Sequence, residues 1–199
     1  MSAPYPKGFP VSLDLSGRPC LLVGAGRIAL RKAEQLLHSG ADLTVVAPVV
    51  DPGFELLPVK IVKREFNVAD LDGVWLVVTS TANTPVDQLI FDECESRRIW
   101  CNSADDPARC SFILPAVHRQ GPITVSVSTG GASPALASWL RAEIAALVGI
   151  EYQELVERLA AERAAIKSEG KSTEDIDWKP IIASICEELE IPSLRKVTI

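Results

Sequence analysis

The sequence predicts an α/β fold: a Rossmann-type parallel sheet, then a short α+β segment and a small C-terminal helical domain. Three observations predict it. From Cys20 to about Ser103, short apolar runs alternate with amphipathic stretches, the pattern of βαβ units around a parallel sheet. A glycine turn, Gly24-Ala25-Gly26-Arg27-Ile28-Ala29, stands between the first apolar run and the first amphipathic stretch. After Asp106-Pro107 the alternation stops, and from Tyr152 onward the chain is helical in pattern and highly charged.

Taken in order, Cys20-Leu21-Leu22-Val23 reads as a buried strand. Ile28 to Ser39 carries apolar residues at helical spacing (Ile28, Ala29, Ala33, Leu36, Leu37), and Gly40 supplies the stop. Leu43 to Val46 is the second strand, ended by Ala47-Pro48; Val59 to Glu65 alternates as a third, and Val74 to Val78 reads as a fully buried fourth. Thr84 is placed to cap the next helix, with Pro85 at the first helical position, where no amide donor is required. That helix runs to about Arg98 and delivers Ile99-Trp100-Cys101-Asn102 as the fifth strand; Trp75 and Trp100 read as core. Ser111 to Ala116 and Ile123 to Ser128 read as two further strands joined at Gln120-Gly121-Pro122. Thr129 to Pro134 is a glycine loop entering a helix capped by Ser133, and the charged tail breaks at Ser168-Glu169-Gly170. The expected domain bounds are 1–113, 114–149 and 150–199.

Composition narrows the function classes. At 199 residues and 47% apolar content the chain can fill a sizeable core. A net charge of -6 with no block of Lys or Arg argues against nucleic acid and against an anionic membrane as partners. The five cysteines are scattered without a C-x-x-C pair, so no metal site is expected and reduced, mostly buried thiols are. Met1 to Pro10 holds three prolines and no apolar run, unlike a secretory signal, and Ile144 to Ile150 is too short to cross a bilayer. A cytoplasmic protein is the expectation.

The glycine turn carries the first functional reading. Gly24 permits a tight turn, Gly26 lets the backbone approach a pyrophosphate, and Ala29 lets the helix pack on the sheet, while the helix start offers free amides to an anion. The alternative is a structural glycine turn. The second strand lacks the Asp or Glu that usually holds a ribose; it ends Val46-Ala47-Pro48, and the nearest acid is Asp51. No Arg stands there for a 2′-phosphate, so this rule does not separate NAD from NADP.

Longer stretches carry a resemblance. Val23 to Ala33, Leu36-Leu37, Gly40-Ala41 and Leu43 to Pro48 resemble the dehydrogenase module of sirohaem synthase, that is, precorrin-2 dehydrogenase. So do Asp70-Leu71, Trp75-Leu76, Cys101 to Pro107, Phe112 to Pro115 and Ser128 to Pro134, the resemblance covering about residues 9 to 145. It implies NAD-dependent oxidation of precorrin-2 to sirohydrochlorin, a homodimer joined through the segment after the Rossmann domain, and in some members metal insertion as well. With no methyltransferase domain in these 199 residues, a form other than the trifunctional one is the expectation. A non-catalytic NAD(H)-sensing or scaffold module is the rival reading; it leaves the motifs around Asp105 and Gly130 unexplained.

The resemblance marks Asp105 as the essential acid, and Asp105 lies just past the fifth strand, on the edge where open parallel sheets bind ligands. The bland reading of Asp105-Asp106-Pro107 is a turn, to which Asp106 is assigned. His118 is a second catalytic candidate, weighed against a surface histidine by a turn. The cofactor is expected along Gly24, Gly26, Arg27 and Ile28, past Ala47, Pro48 and Val49, and beside Thr81. Ser128, Thr129 and Gly130, with Arg119 and Arg141, are the expected carboxylate-binding groups for the tetrapyrrole, a plain helix cap being the alternative for the loop. Arg158 and Arg163 are expected to make surface i,i+4 pairs. Ala82 and Asp87 depart from the family's wording, which commonly has an acid and an Asn there.

Overall fold

The computed structural model describes residues 8–104 and 106–192. It divides into two compact units, Met1–Leu114 and Pro115–Ile199.

The first unit is built on strands β1 (Pro19–Val23), β2 (Asp42–Val46), β3 (Lys60–Val62), β4 (Leu76–Thr79) and β5 (Trp100–Ser103). All pair in parallel, in the order β3-β2-β1-β4-β5, so β1 is central. That position explains the unbroken apolar run of β1: Cys20, Leu21, Leu22 and Val23 are all buried because helices cover both faces. Helix α1 (Arg27–His38) covers one face through Ala29, Ala33 and Leu36; the two alanines are wholly buried and let the helix sit close. Helix α2 (Thr84–Arg97) covers the other through Ile90 and Cys94, which meet Leu21, Val77 and Cys101. Gly40, at φ +78°, ends α1 and donates its amide to the Leu37 carbonyl at 2.9 Å.

The parallel sheet and its βαβ order bear out the predicted Rossmann-type fold. Local readings need correction. The third strand is three residues long; after it the Arg64 amide turns back to the Val62 carbonyl and its guanidinium forks onto Asp70. Helix α2 is capped by Asn83, whose side chain accepts from the Val86 amide, so Thr84 and Pro85 form its first turn. Trp75 and Trp100 are not core: they are 49% and 46% exposed, at the N-terminal ends of β4 and β5. The Arg18 guanidinium lies 3.8 Å from the Trp75 ring centre, and Trp100 meets Phe112 edge to face.

Of the strand expected over Ser111 to Ala116, only Ala116 is in a strand; Ser111 to Pro115 form none. Instead Asn102 and Cys110 make one antiparallel bridge, and the Ser111 amide donates to the Cys101 carbonyl at 2.8 Å. The Asn102 side chain donates to the Phe112 carbonyl, and Pro115 has no amide for a ladder.

The second unit opens with β6 (Ala116–Gln120) and β7 (Ile123–Val127), an antiparallel hairpin turned at Gly121 with φ +53°. Helix α3 (Pro134–Leu147) packs on both strands, α4 (Glu151–Ser168) reaches β7, and α5 (Trp178–Glu188) packs on α4. A small core of Leu155, Ile185 and Ile191 holds the last two helices together. Arg158 pairs across them with Glu188 at 2.5 Å, in place of the expected i,i+4 partner. No helix among the described residues is long and apolar enough to cross a membrane.

Candidate functional site

The glycine turn leaves β1 at the C-terminal edge of the sheet. Gly24 has φ +98° and donates its amide to the Val46 carbonyl at 2.9 Å. A Cβ at Gly24 would run into the Ser80 carbonyl and lie 3.1 Å from the Thr81 amide nitrogen. Gly26 differs: its φ and ψ, -88° and -174°, suit any residue, and a Cβ there would meet nothing within 4 Å. Gly24 is therefore required by the chain's own packing, whereas Gly26 leaves open space at the start of α1. No side chain caps that helix, and its first turn carries no acid. The amides at the head of α1 are left free to meet an anion, and the residues present fit a pyrophosphate.

The other expected cofactor residues surround this turn unevenly. Arg27 and Ile28 are exposed in the first turn of α1. Ala47 is buried, donating to the Val62 carbonyl, while Pro48 and Val49 face solvent. Asp51, the acid nearest the end of β2, spends Oδ1 on the Gly53 amide at 2.8 Å and caps a short 3-10 turn over Pro52–Leu56. Its own amide donates to the Ala25 carbonyl at 2.9 Å.

Thr81 sits in the turn between β4 and α2, and its surroundings were not read from the sequence. Its hydroxyl lies 2.8 Å from Asp87 Oδ1, which also accepts from the Thr79 hydroxyl at 2.6 Å. Asp87 is 4% exposed. Ala82, next to Thr81, stands at φ +55°, in the left-handed region that costs a side chain roughly 1–2 kcal/mol.

Asp105 falls outside the described residues; its frame does not. Asn102 and Ser103 end β5 buried, and the Cys110 sulfur accepts from the Ser103 amide at 3.2 Å. Asp106 accepts from the Ala108 amide at 2.8 Å and pairs with Arg109 at 3.1 Å, the turn role expected of it. Burial pushes the Cys110 thiol above its ordinary range.

In the second unit, His118 Nε2 lies 2.9 Å from the Val148 carbonyl, so that nitrogen carries the proton and ties β6 to the end of α3. Ser128 accepts from the Gly130 amide, and Thr129 exchanges bonds with the Ser133 backbone at 3.0 and 3.1 Å. Ser133 caps α3 as expected. Gly130 and Gly131 both have positive φ, at +61° and +82°. Arg119 is exposed on β6, Arg141 half-buried on α3, and neither forms an ion pair among the described residues.

A five-stranded parallel sheet whose first strand turns through glycine into an uncapped helix defines a Rossmann-type dinucleotide-binding domain. The chain belongs to the family of putative NAD(P)-binding domains, which it matches over residues 11–116. A second match, to the central region of sirohaem biosynthesis proteins, covers residues 120–147. The chain is 39% identical over 164 residues to the sirohaem synthase of Enterobacter sp. (strain 638), covering 80% of this chain and 36% of that protein. It is 36% identical over 187 residues to the sirohaem synthase of Acinetobacter baylyi, covering 90% and 41%. It thus spans little more than a third of the length of these relatives. Among solved structures, SirC, precorrin-2 dehydrogenase, shares the fold at a TM-score of 0.70 and 24% identity, over 92% of this chain and 99% of that one. The resemblance read from the motifs is borne out by these relatives.

Proposed function

We propose that the protein oxidises precorrin-2 to sirohydrochlorin with NAD as hydride acceptor. The observation that carries the reading is the pairing of the two family matches on one chain. A nucleotide site with an uncapped helix at its glycine turn is followed at once by the segment shared with sirohaem biosynthesis proteins.

Bound NAD would supply a hydride acceptor. Gly26 and the first amides of α1 would hold its pyrophosphate; Arg27, Ile28, Pro48, Val49 and Thr81 would line it, with Gly24 and buried Ala47 shaping the turn beneath. The substrate loses a hydride and a proton, and Asp105, in the loop framed by Asn102 and Cys110, is the proposed base for the proton. His118 has Nε2 committed to Val148 and offers only Nδ1 to the substrate. Arg119, Arg141 and the Ser128-Thr129-Gly130 loop would meet the tetrapyrrole's carboxylates, Arg through its planar fork and Gly130 through main chain.

The segment 114–149 would form a homodimer, and residues 150–199 a helical domain, in a cytoplasmic enzyme. Exposed Leu136, Trp139 and Leu147 on α3 support the dimer as apolar surface awaiting a partner. The test is anaerobic incubation with precorrin-2 and NAD, read as sirohydrochlorin absorbance, with Asp105→Ala beside the wild type. A parallel assay for iron insertion into sirohydrochlorin asks whether the same site also chelates.

A further inference from the structure

We infer that Asp87 is a positioning residue for the nucleotide site, acting through Thr81, whose hydroxyl it presents as a hydrogen-bond acceptor on the β4 side of the glycine turn. The inference rests on the proposal that this unit binds NAD.

Asp87 occupies the first turn of α2, yet its side chain is buried beneath the turn that precedes the helix. A buried carboxylate is costly unless hydrogen-bonded, and here Oδ1 accepts from two hydroxyls, Thr79 at 2.6 Å and Thr81 at 2.8 Å. Thr79 is itself 1% exposed, so its bond anchors the carboxylate to the end of β4. Thr81 is the outer member, half-exposed in the turn.

The proton on Thr81 decides what that hydroxyl can do. Two acceptors are in reach: the Asp87 carboxylate at 2.8 Å and the Asn83 carbonyl at 3.3 Å. The charged, shorter contact wins, because hydrogen bonds to an ionised acceptor are roughly twice as strong as neutral ones. With its proton held inward, Thr81 Oγ1 accepts the Asn83 amide at 3.0 Å on one lone pair. The other lone pair is left to accept a hydrogen bond from outside, and the carboxylate behind it strengthens it as an acceptor. An acceptor of this kind is what a ribose hydroxyl requires, and Thr81 offers it beside β1 on the side away from β2.

The same bonds fix the turn against the glycine finger. The Ser80 amide donates to the Val23 carbonyl at 2.8 Å, and the Ser80–Thr81 peptide presses on Gly24 so closely that no Cβ fits between them. Ala82, at φ +55°, is held there by the bonds on either side of it. Releasing Asp87 would loosen Thr81, and with it the wall of the finger.

Isothermal calorimetry of NAD with the full chain, with Tm measured alongside, tests this. Asp87→Ala and Thr81→Val should each raise the Kd for NAD at least about five-fold, as expected for loss of one buried or charge-assisted bond. The two together should cost much less than the product of the singles. Asp87→Asn keeps a carbonyl acceptor for both hydroxyls and should restore most of the affinity. Ile90→Val, one turn along the same helix, loosens packing without touching the network and should lower Tm while Kd stays put. A Kd within two-fold of wild type in folded Asp87→Ala or in Thr81→Val overturns the inference; should Asp87→Ala not fold, Thr81→Val decides. Absence of NAD binding by the wild type overturns the underlying reading instead.

Discussion

The Ser80 carbonyl occupies the space in which a side chain on Gly24 would have to stand. The neighbouring glycine of the finger, Gly26, faces nothing. Two glycines that look alike in the sequence therefore differ: the fold requires one, and the other leaves open space at the start of α1.

Gly24→Ala combines a backbone collision with a residue at φ +98°, and should destabilise the domain by about 3 kcal/mol or more. Gly26→Ala meets no atom and an ordinary backbone, so its stability cost should stay below about 1 kcal/mol. It should nonetheless weaken NAD binding by roughly ten-fold or more, since its methyl group occupies the approach to the helix amides. Chemical denaturation and calorimetry on both variants separate the two effects.

The Asp70 carboxylate is held below its ordinary range chiefly by the fork of Arg64, helped by the Asn67 amide at 2.9 Å. A depressed folded pKa means the stabilisation is present above the unfolded value, roughly 3.9, and is lost as pH falls through the folded one. Arg64 is half exposed, so the contribution is modest, about 1 kcal/mol. Asp70→Asn should lower stability by that amount at neutral pH and by progressively less below about pH 4. Urea melts at neutral and acid pH, wild type against variant, check the convergence.

All five cysteines are free thiols, and burial grades their reactivity. Burial, helped by the charge of Asp42, pushes Cys20 up to about 11; Cys101 is raised by its bond to Cys94 and by burial. Cys186 and Cys110, both half-buried, should react first with a thiol reagent at neutral pH. Cys20, Cys94 and Cys101 should react only after unfolding, as mass spectrometry of the labelled chain would report. Early labelling of Cys20 would contradict the packing of β1.

Replacing Trp139, 57% exposed on α3, by Lys should shift a proposed dimer toward monomer in sedimentation equilibrium. Burying a charge at an apolar contact without a partner is the cost that drives the shift.

What was legible in the sequence follows from how local each feature is. The finger is a contiguous turn between a strand and a helix, so Gly24, Gly26 and Ala29 can be read without knowing what lies across the sheet. Thr79, Thr81 and Asp87 come together only because α2 folds back over the end of β4; an acid in a helix's first turn ordinarily faces solvent. Trp75 and Trp100 were misread for the complementary reason. They stand half-exposed at the N-terminal ends of β4 and β5, and apolar character alone does not report where along a strand a residue falls. The Ser111 to Ala116 stretch has strand composition, yet Ser111 and Phe112 are clamped to β5 by single bonds, contacts that no periodicity encodes.

The central claim is that one chain both binds NAD and uses it on precorrin-2 through Asp105. Single-turnover kinetics with excess enzyme tests it most directly, following NADH and sirohydrochlorin in the same anaerobic sample. The account predicts that both appear together in equal amounts. It also predicts that Asp105→Ala binds NAD normally but forms product at least about a hundred-fold more slowly. NAD binding by the wild type with no sirohydrochlorin formed, or an Asp105→Ala variant as fast as wild type, would contradict it.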